Sequence, residues 1–457
     1  MKDTFMHALS KTATRNMTSG PIAKQLLLFA LPLMVGNIFQ MLYNTVDSVI
    51  VGQFVGTQAL AAVGSTTMII NMAVFFFNGF SVGAGVVISQ FFGAGDRKNL
   101  HRAVETTMAA TFVLCGVFTV LFLLLVPGML RFMATPDDVF APASVYLQIY
   151  FAGITGLLIY NMGSGILRAV GDTTRPLFFL ILTSIMNIVL DLVFVIPLHM
   201  GIAGAALATI LSQGISALLI LLLLIRSDDL YRLTIRDLGF DRKILGQIFA
   251  IGLPNAIQSV ITSFSNVFVQ SYINFFGSQC MAGWACYNKI NDFIMLPMSS
   301  MAMASTTFVS QNYGAGKTDR TNKGTICSVA LTLVITGAIA TLIFLFAGAA
   351  IALFTSDTAV IHFGVRFLRV NVYFLLFNCI NHVLAGALRG RGDSTAPMLI
   401  MLLSFVGVRQ IYLYIITRFV ANTTLLVGLG YPVGWTVCAV IETSYFFLRW
   451  NRKTEAG

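Results

Sequence analysis

Charge is scarce in this chain of 457 residues: Asp, Glu, Lys and Arg together make up 10%, against about 25% in a soluble domain. A water-soluble fold of this size could not cover its surface with so few charges, so that class is excluded. A Walker-type phosphate loop and a soluble ATPase region are also missing, so any transport by this chain is secondary. There is no HExxH, and the five histidines (7, 101, 199, 362 and 382) are dispersed, so the chain reads as no enzyme. Cysteine is sparse as well. The six cysteines (115, 280, 286, 327, 379 and 438) sit in apolar stretches without a CxxC spacing, which argues against a zinc site or a disulfide framework and for small packing residues.

What the chain has instead is apolar residues, 57% of the total without counting glycine. They come in blocks such as Phe112 to Val126, Leu177 to Pro197 and Ala203 to Ile225, close to the roughly 20 residues that cross a bilayer. Twelve blocks lie between Lys24 and Trp450, with cores near 25–50, 59–92, 104–127, 141–166, 177–198, 203–225, 245–275, 281–312, 325–353, 361–387, 397–418 and 425–448. The first follows 24 polar-leaning residues and lacks the short apolar core and small-residue cleavage site of a signal peptide, so it is expected to stay in the mature protein. The net charge of +10 could suggest nucleic acid, but its placement excludes that reading. With the N-terminus inside, 22 of the 28 Lys and Arg fall at the cytoplasmic face, from Lys2, Lys11, Arg15 and Lys24 through Arg226 to Lys243 and on to Arg449, Arg452 and Lys453. This positive-inside bias predicts that both termini are cytoplasmic, in a multi-pass protein of the bacterial inner membrane.

The chain also repeats itself. Ser89-Gln90-Phe91-Phe92-Gly93-Ala94-Gly95 recurs as Ser310-Gln311-Asn312-Tyr313-Gly314-Ala315-Gly316, an offset of 221. At the same offset Leu167-Arg168-Ala169-Val170-Gly171-Asp172 recurs as Leu388-Arg389-Gly390-Arg391-Gly392-Asp393, and Leu31-Pro32 answers Leu253-Pro254 to within one residue. A duplicated six-helix unit follows. Six spans is an even number, so both halves share one orientation and are related by a pseudo-two-fold axis along the membrane normal. The predicted fold is an all-α integral membrane protein: an N-terminal segment 1–24, an N-lobe 25–225, a cytoplasmic linker 226–243, a C-lobe 244–448 and a tail 449–457. Both repeated motifs fall on cytoplasmic turns, where Gly reverses the chain and Asp or Pro opens the next helix.

With these motifs the chain resembles the multidrug and toxic compound extrusion (MATE) family from Pro21 to Arg449. The resemblance rests on the 6+6 repeat, the opening Pro21-x-x-Lys24…Ala30-Leu31-Pro32 into Asp47-Ser48-x-x-Val51-Gly52, the Gly-Ala-Gly turns and the Leu-Arg-x-x-Gly-Asp turns. Val35-Gly36-Asn37…Tyr43-Asn44-Thr45-Val46-Asp47 is similar to the bacterial MepA-like branch. The resemblance implies an antiporter that alternates between outward-open and inward-open states and exports mainly amphipathic organic cations against H⁺ or Na⁺.

Carboxylates inside a span cost several kcal/mol and mark candidate sites. Asp47 lies five to eight residues from the outer end of helix 1, and Asp191 six residues before Pro197, which closes helix 5. Asn187 precedes Asp191 by four and shares its face, and Thr209 lies as far beyond residue 200 as Asp191 lies before it. Two carboxylates, an amide oxygen and a hydroxyl at one depth suit a hard cation or a proton. The four positions match those that the resemblance assigns to an N-lobe cation site, so Na⁺ or H⁺ is the expected coupling ion and no other cofactor is called for. Shifted into the second half they become Val269, Val408, Tyr412 and Gly430, so coupling is expected through the N-lobe alone. Buried hydrogen-bonded groups that fix helix packing are the plain alternative for the four.

Candidates for the substrate cavity or gating are Pro32, Gln40, Asn44, Asp292 and Arg409. Pro32 removes a backbone hydrogen bond in helix 1, either a hinge or a static kink. Asp292, Lys289 and Arg409 read as an internal ion pair or as substrate contacts, and Glu442 as facing the inner end of helix 12. The expected function is a monomeric secondary exporter of small, mostly cationic organic compounds, touching lipid and no nucleic acid. The competing reading is a flippase of a lipid-linked precursor, for whose cationic cavity only Arg409 and Lys289 are candidates.

Overall fold

The structure is a computed structural model that describes residues 14–454 apart from 134 and 228; the expectations placed on Lys2, His7 and Lys11 lie outside them. Every long element among the described residues is a helix, as an apolar chain demands when its backbone groups must be satisfied within each span. Eleven helices are long and apolar enough to cross a membrane, and a bent pair makes a twelfth. In order they are α1 Ile22–Val55, α2 Ala61–Ala94, α3 Arg97–Phe132, α4 as Asp137–Ala152 and Ile154–Ala169, α5 Thr174–Val195, α6 Gly201–Arg226, α7 Arg242–Asn274, α8 Ser278–Gly314, α9 Thr318–Leu345, α10 Thr358–Gly390, α11 Thr395–Val420 and α12 Thr424–Arg449. The two segments of α4 meet at 48°. Gly153 at that break lies so close against Ile210 of α6 that no side chain fits between them. π-helical turns close α1 at Val51–Val55 and interrupt α11 at Leu403–Val408.

The Lys- and Arg-rich turns form the basic ends of the helices, and the repeated motifs build them. Gly171 and Gly392 turn at φ 88° and 87°, the left-handed region that glycine adopts freely. The aspartate that follows caps the next helix: Asp172 Oδ1 accepts from the backbone N–H of Thr174 and of Arg175 at 3.1 Å, and Asp393 Oδ1 from that of Ala396 at 3.2 Å. The sequence-predicted turn chemistry is therefore present in both copies.

The chain forms two compact units, and two of their three limits fall within helices. Unit 1 holds residues 14–16 and Leu31–Gly252, and unit 2 holds Met17–Ala30 and Leu253 onward. Both switches occur at the Leu-Pro pairs, Leu31-Pro32 in α1 and Leu253-Pro254 in α7. The first turns of α1 thus belong to unit 2, and the first turns of α7 to unit 1. Within unit 1, α7 is seated by backbone contact: Gly83 of α2 touches the main chain of Ile248 and Gly252. Small residues allow this approach. Ser89 Oγ also donates to the carbonyl of Ala169 at 3.0 Å, joining the first copies of the two motifs.

In unit 2 the stretch before α1 is held by the second copy of the Ser-Gln motif. Met17 N–H donates to Gln311 Oε1 at 2.9 Å, and Asn312 Nδ2 donates back to the Met17 carbonyl at 3.1 Å. Lys317 Nζ reaches the Thr18 carbonyl at 2.8 Å and Arg320 Nη2 the Ser19 carbonyl at 3.0 Å. All six cysteines are free.

Candidate functional site

In unit 1, α5 and α6 pack side by side, and a hydroxyl bond from Ser216 to Thr183 at 2.7 Å joins them. α5 carries Asn187 and Asp191 one turn apart, with 3% and 0% of their surfaces exposed. α6 carries Thr209, whose hydroxyl donates to the Ala205 carbonyl at 3.1 Å and keeps lone pairs to offer. α1 brings Asp47 within electrostatic reach of Asp191. Asp47 Oδ1, both carboxylate oxygens of Asp191 and both amide atoms of Asn187 are buried and meet no hydrogen-bonding group among the described residues. Buried acceptors without partners are costly, and carboxylates most of all. A proton or a small cation meets that need, and the mix of carboxylate, amide and hydroxyl oxygen suits either.

The sequence gives no sign that a tyrosine belongs to this group, yet Tyr146 of α4 lies within electrostatic reach of both Asp47 and Asp191. A tyrosine in an apolar helix carries no spacing signal.

A cavity of about 130 Å³ opens within unit 1 against the same helices. Asn187 and Thr209 lie in its wall, with Tyr43 and Gln40 of α1 beside them, and its lining runs to Tyr160 and Arg168 at the basic end of α4. A polar cavity of this size is roomy enough to hold ordered water. Ser184 and Ser212 add buried hydroxyls that meet no partner among the described residues, so the wall is polar and under-satisfied.

Of the residues predicted for substrate contact or gating, Pro32 and Gln40 line this cavity. Asn44 is absent from its lining and stands exposed on α1. Asp292 and Arg409 belong to unit 2. The expected ion pair among Asp292, Lys289 and Arg409 is not formed: the ion pairs among the described residues involve none of the three. Arg409 instead donates to Ser265 Oγ at 2.7 Å and stacks over the Tyr431 ring at 4.8 Å, while Lys289 Nζ lies over Phe354 at 5.5 Å. A hydroxyl and a ring face satisfy the guanidinium in place of a carboxylate. Glu442 sits two turns before the end of α12 at Arg449. It is wholly buried, with Arg389 in electrostatic reach.

Comparison with known proteins agrees with this architecture. "Probable multidrug resistance protein YpnP" of Bacillus subtilis is 30% identical over 436 residues, covering 95% of this chain and 97% of the relative. "Probable multidrug resistance protein YoeA" of the same organism is 26% identical over 96% of each chain. "Multidrug export protein MepA" of Staphylococcus haemolyticus is 23% identical over 95% of each. Among solved structures, a MATE protein in its bent conformation superposes with a TM-score of 0.92 at 25% identity, over 98% of this chain and 100% of that one. The MatE family model matches residues 32–193 and 250–415, once in each half of the repeat, and the chain therefore belongs to the MatE family.

Proposed function

We propose that the chain is a secondary exporter that exchanges H⁺ or Na⁺ for amphipathic organic compounds by alternating access, in the bacterial cytoplasmic membrane with both termini inside. The observation that carries this reading is the set of unpartnered oxygens on Asp47, Asn187 and Asp191 beside a polar cavity in unit 1. Ions are the cargo that such a site recognises, and organic molecules are what the cavity can hold. The relatives, named as multidrug resistance and multidrug export proteins, support the substrate class.

The coupling follows from electrostatics. A site of two buried carboxylates favours the conformation in which a cation neutralises them, so an ion gradient biases the transporter between its states. Protons and Na⁺ compete for the same oxygens, and Thr209 and Asn187 serve the metal ion rather than the proton. The carrier works as a monomer and carries out no covalent chemistry. The two cations that the sequence offers for a flippase of a lipid-linked precursor, Arg409 and Lys289, are engaged with Ser265, Tyr431 and Phe354.

The test is dye efflux from inside-out vesicles under an imposed pH gradient or Na⁺ gradient, one at a time. Uptake into such vesicles that follows one gradient and stops when it collapses is the expected result. Movement indifferent to both gradients overturns the reading.

A further inference from the structure

The basic end of α3 carries a histidine and a glutamate one turn apart, and the linker brings an aspartate to them. His101 and Glu105 stand at i and i+4, so both project from one face of the helix. Asp237 closes a short 3-10 turn, Ile235–Asp237, in the stretch between α6 and α7. One donor atom from each of the three falls within 4.8 Å of the other two. All three belong to unit 1, and none lines its cavity.

The linker is fixed in place beside them. The backbone N–H of Asp241 donates to Thr106 Oγ1 at 3.1 Å, one residue beyond Glu105, and the Tyr231 hydroxyl accepts from Arg175 Nη1 at 2.9 Å. Asp241 is already in use: its Oδ1 accepts from the backbone N–H of Lys243 at 3.0 Å and of Ile244 at 3.1 Å, and its Oδ2 faces Arg102 at 3.9 Å. Asp237 takes part in none of the ion pairs among the described residues.

Glu105 is the member that needs a partner. Only 7% of its surface is exposed, and its Oε1 is buried and accepts no hydrogen bond among the described residues. His101 Nε2 stands 2.8 Å from that oxygen without forming one. Nitrogen and oxygen ligands of one zinc ion lie about 3 Å apart, so this is the spacing of neighbouring ligands. Arg102 is also in electrostatic reach of Glu105, but it is the residue that faces Asp241. Asp237 adds a second negative charge to a buried carboxylate that already lacks a neutralising group.

The repeat supplies an internal comparison. At the offset of 221, His101 and Glu105 become Asn322 and Ile326, so the packing of the duplicated helix requires neither imidazole nor carboxylate at these positions. The linker that carries Asp237 occurs once. An imidazole with two carboxylates suits Zn²⁺ and similar ions, whereas Mg²⁺ and Ca²⁺ favour oxygen ligands throughout. The cysteines take no part, and Asp237 lies more than 130 residues beyond Glu105, so no short spacing in the sequence marks the set.

We propose that His101, Glu105 and Asp237 bind a divalent transition-metal ion of the Zn²⁺ class, with water completing its coordination, and that the bound ion clips the linker to α3. The test uses the full-length transporter, purified and stripped with EDTA, into which Zn²⁺ is titrated by calorimetry. The wild type should bind an ion that His101→Gln and Asp237→Asn each weaken about tenfold or more, with Mg²⁺ unable to compete. Melting of both variants at the wild-type temperature without metal certifies the fold; if His101→Gln does not fold, Asp237→Asn, in an exposed turn, carries the test alone. The clip has its own readout: Zn²⁺ should slow tryptic cleavage after Arg236, next to the ligand, in the wild type and not in the variants. Zn²⁺ binding that neither substitution weakens, or no binding at all, leaves an ordinary His–Glu ion pair and overturns the proposal. Binding weakened by His101→Gln alone, with cleavage after Arg236 indifferent to Zn²⁺, removes Asp237 from the site and overturns the clip.

Discussion

Gly83→Ala tests whether the first turns of α7 are truly seated in unit 1. A Cβ built on Gly83 would lie 2.7 Å from the backbone nitrogen of Gly252 and 2.8 Å from its Cα, and closer still to the Ile248 carbonyl. These are main-chain atoms, which cannot rotate aside as a side-chain tip can. Restoring ordinary contact, which begins at 3.4 Å, requires α2 and α7 to part by most of an ångström. Overpacking of this kind costs about 1–3 kcal/mol. An alanine also stiffens the helix, a gain of about 1 kcal/mol over glycine, which partly hides the cost. Gly85→Ala corrects for that gain. It lies in the same helix, and its Cβ would meet only the Gly165 carbonyl at 3.8 Å. The two variants, purified in one detergent and melted side by side, should differ by about 1–3 kcal/mol, with Gly85→Ala at or above the wild type and Gly83→Ala below it. Coincident melting of the two would refute the claim that α7 is held here by backbone contact.

Asp47→Asn and Asp191→Asn should each abolish gradient-driven efflux while the protein still inserts and purifies; full coupled efflux from either variant in proteoliposomes would remove these residues from the coupling site. Efflux driven by Na⁺ should weaken as the external proton concentration rises, because both ions use the same oxygens, and a Na⁺ response unchanged between pH 8 and pH 6 would contradict shared occupancy. Asp172→Asn should lower the folded yield by a cost of about 3–5 kcal/mol, since it strips the counter-charge from a buried arginine, Arg175 with 3% of its surface exposed; normal abundance with lost transport would make this turn part of the transport cycle. Arg320→Ala should release the stretch from Met17 to Ser19, whose carbonyls its guanidinium binds, and trypsin should then cut faster at Arg15 and Lys24 than in the wild type.

Much of this protein is legible from its chain because a bilayer is a simple solvent. Twelve apolar stretches of spanning length leave few folds to choose from, and the repeat at 221 residues identifies two copies of one six-helix unit. Helical rise converts position into depth, which is how Asp47, Asn187, Asp191 and Thr209 were placed at one level by counting along three spans. Counting along helices does not say what each helix touches. The division of the units at Leu31 and Leu253, inside α1 and α7, depends on which neighbours the first turns pack against, and the Gly83 contact that seats one of them lies more than 160 residues away in sequence. Tyr146 of α4 lies in electrostatic reach of the carboxylates, Arg409 meets Ser265 and Tyr431 where a carboxylate was expected, and the buried Glu442 has Arg389 in reach. In each case the partner is distant in sequence and the side chain's direction is set by packing. Charge and hydropathy determine which segments enter the membrane, whereas the contacts of single polar side chains are decided only when the helices assemble, because in a low-dielectric interior each buried charge is governed by the few groups that surround it.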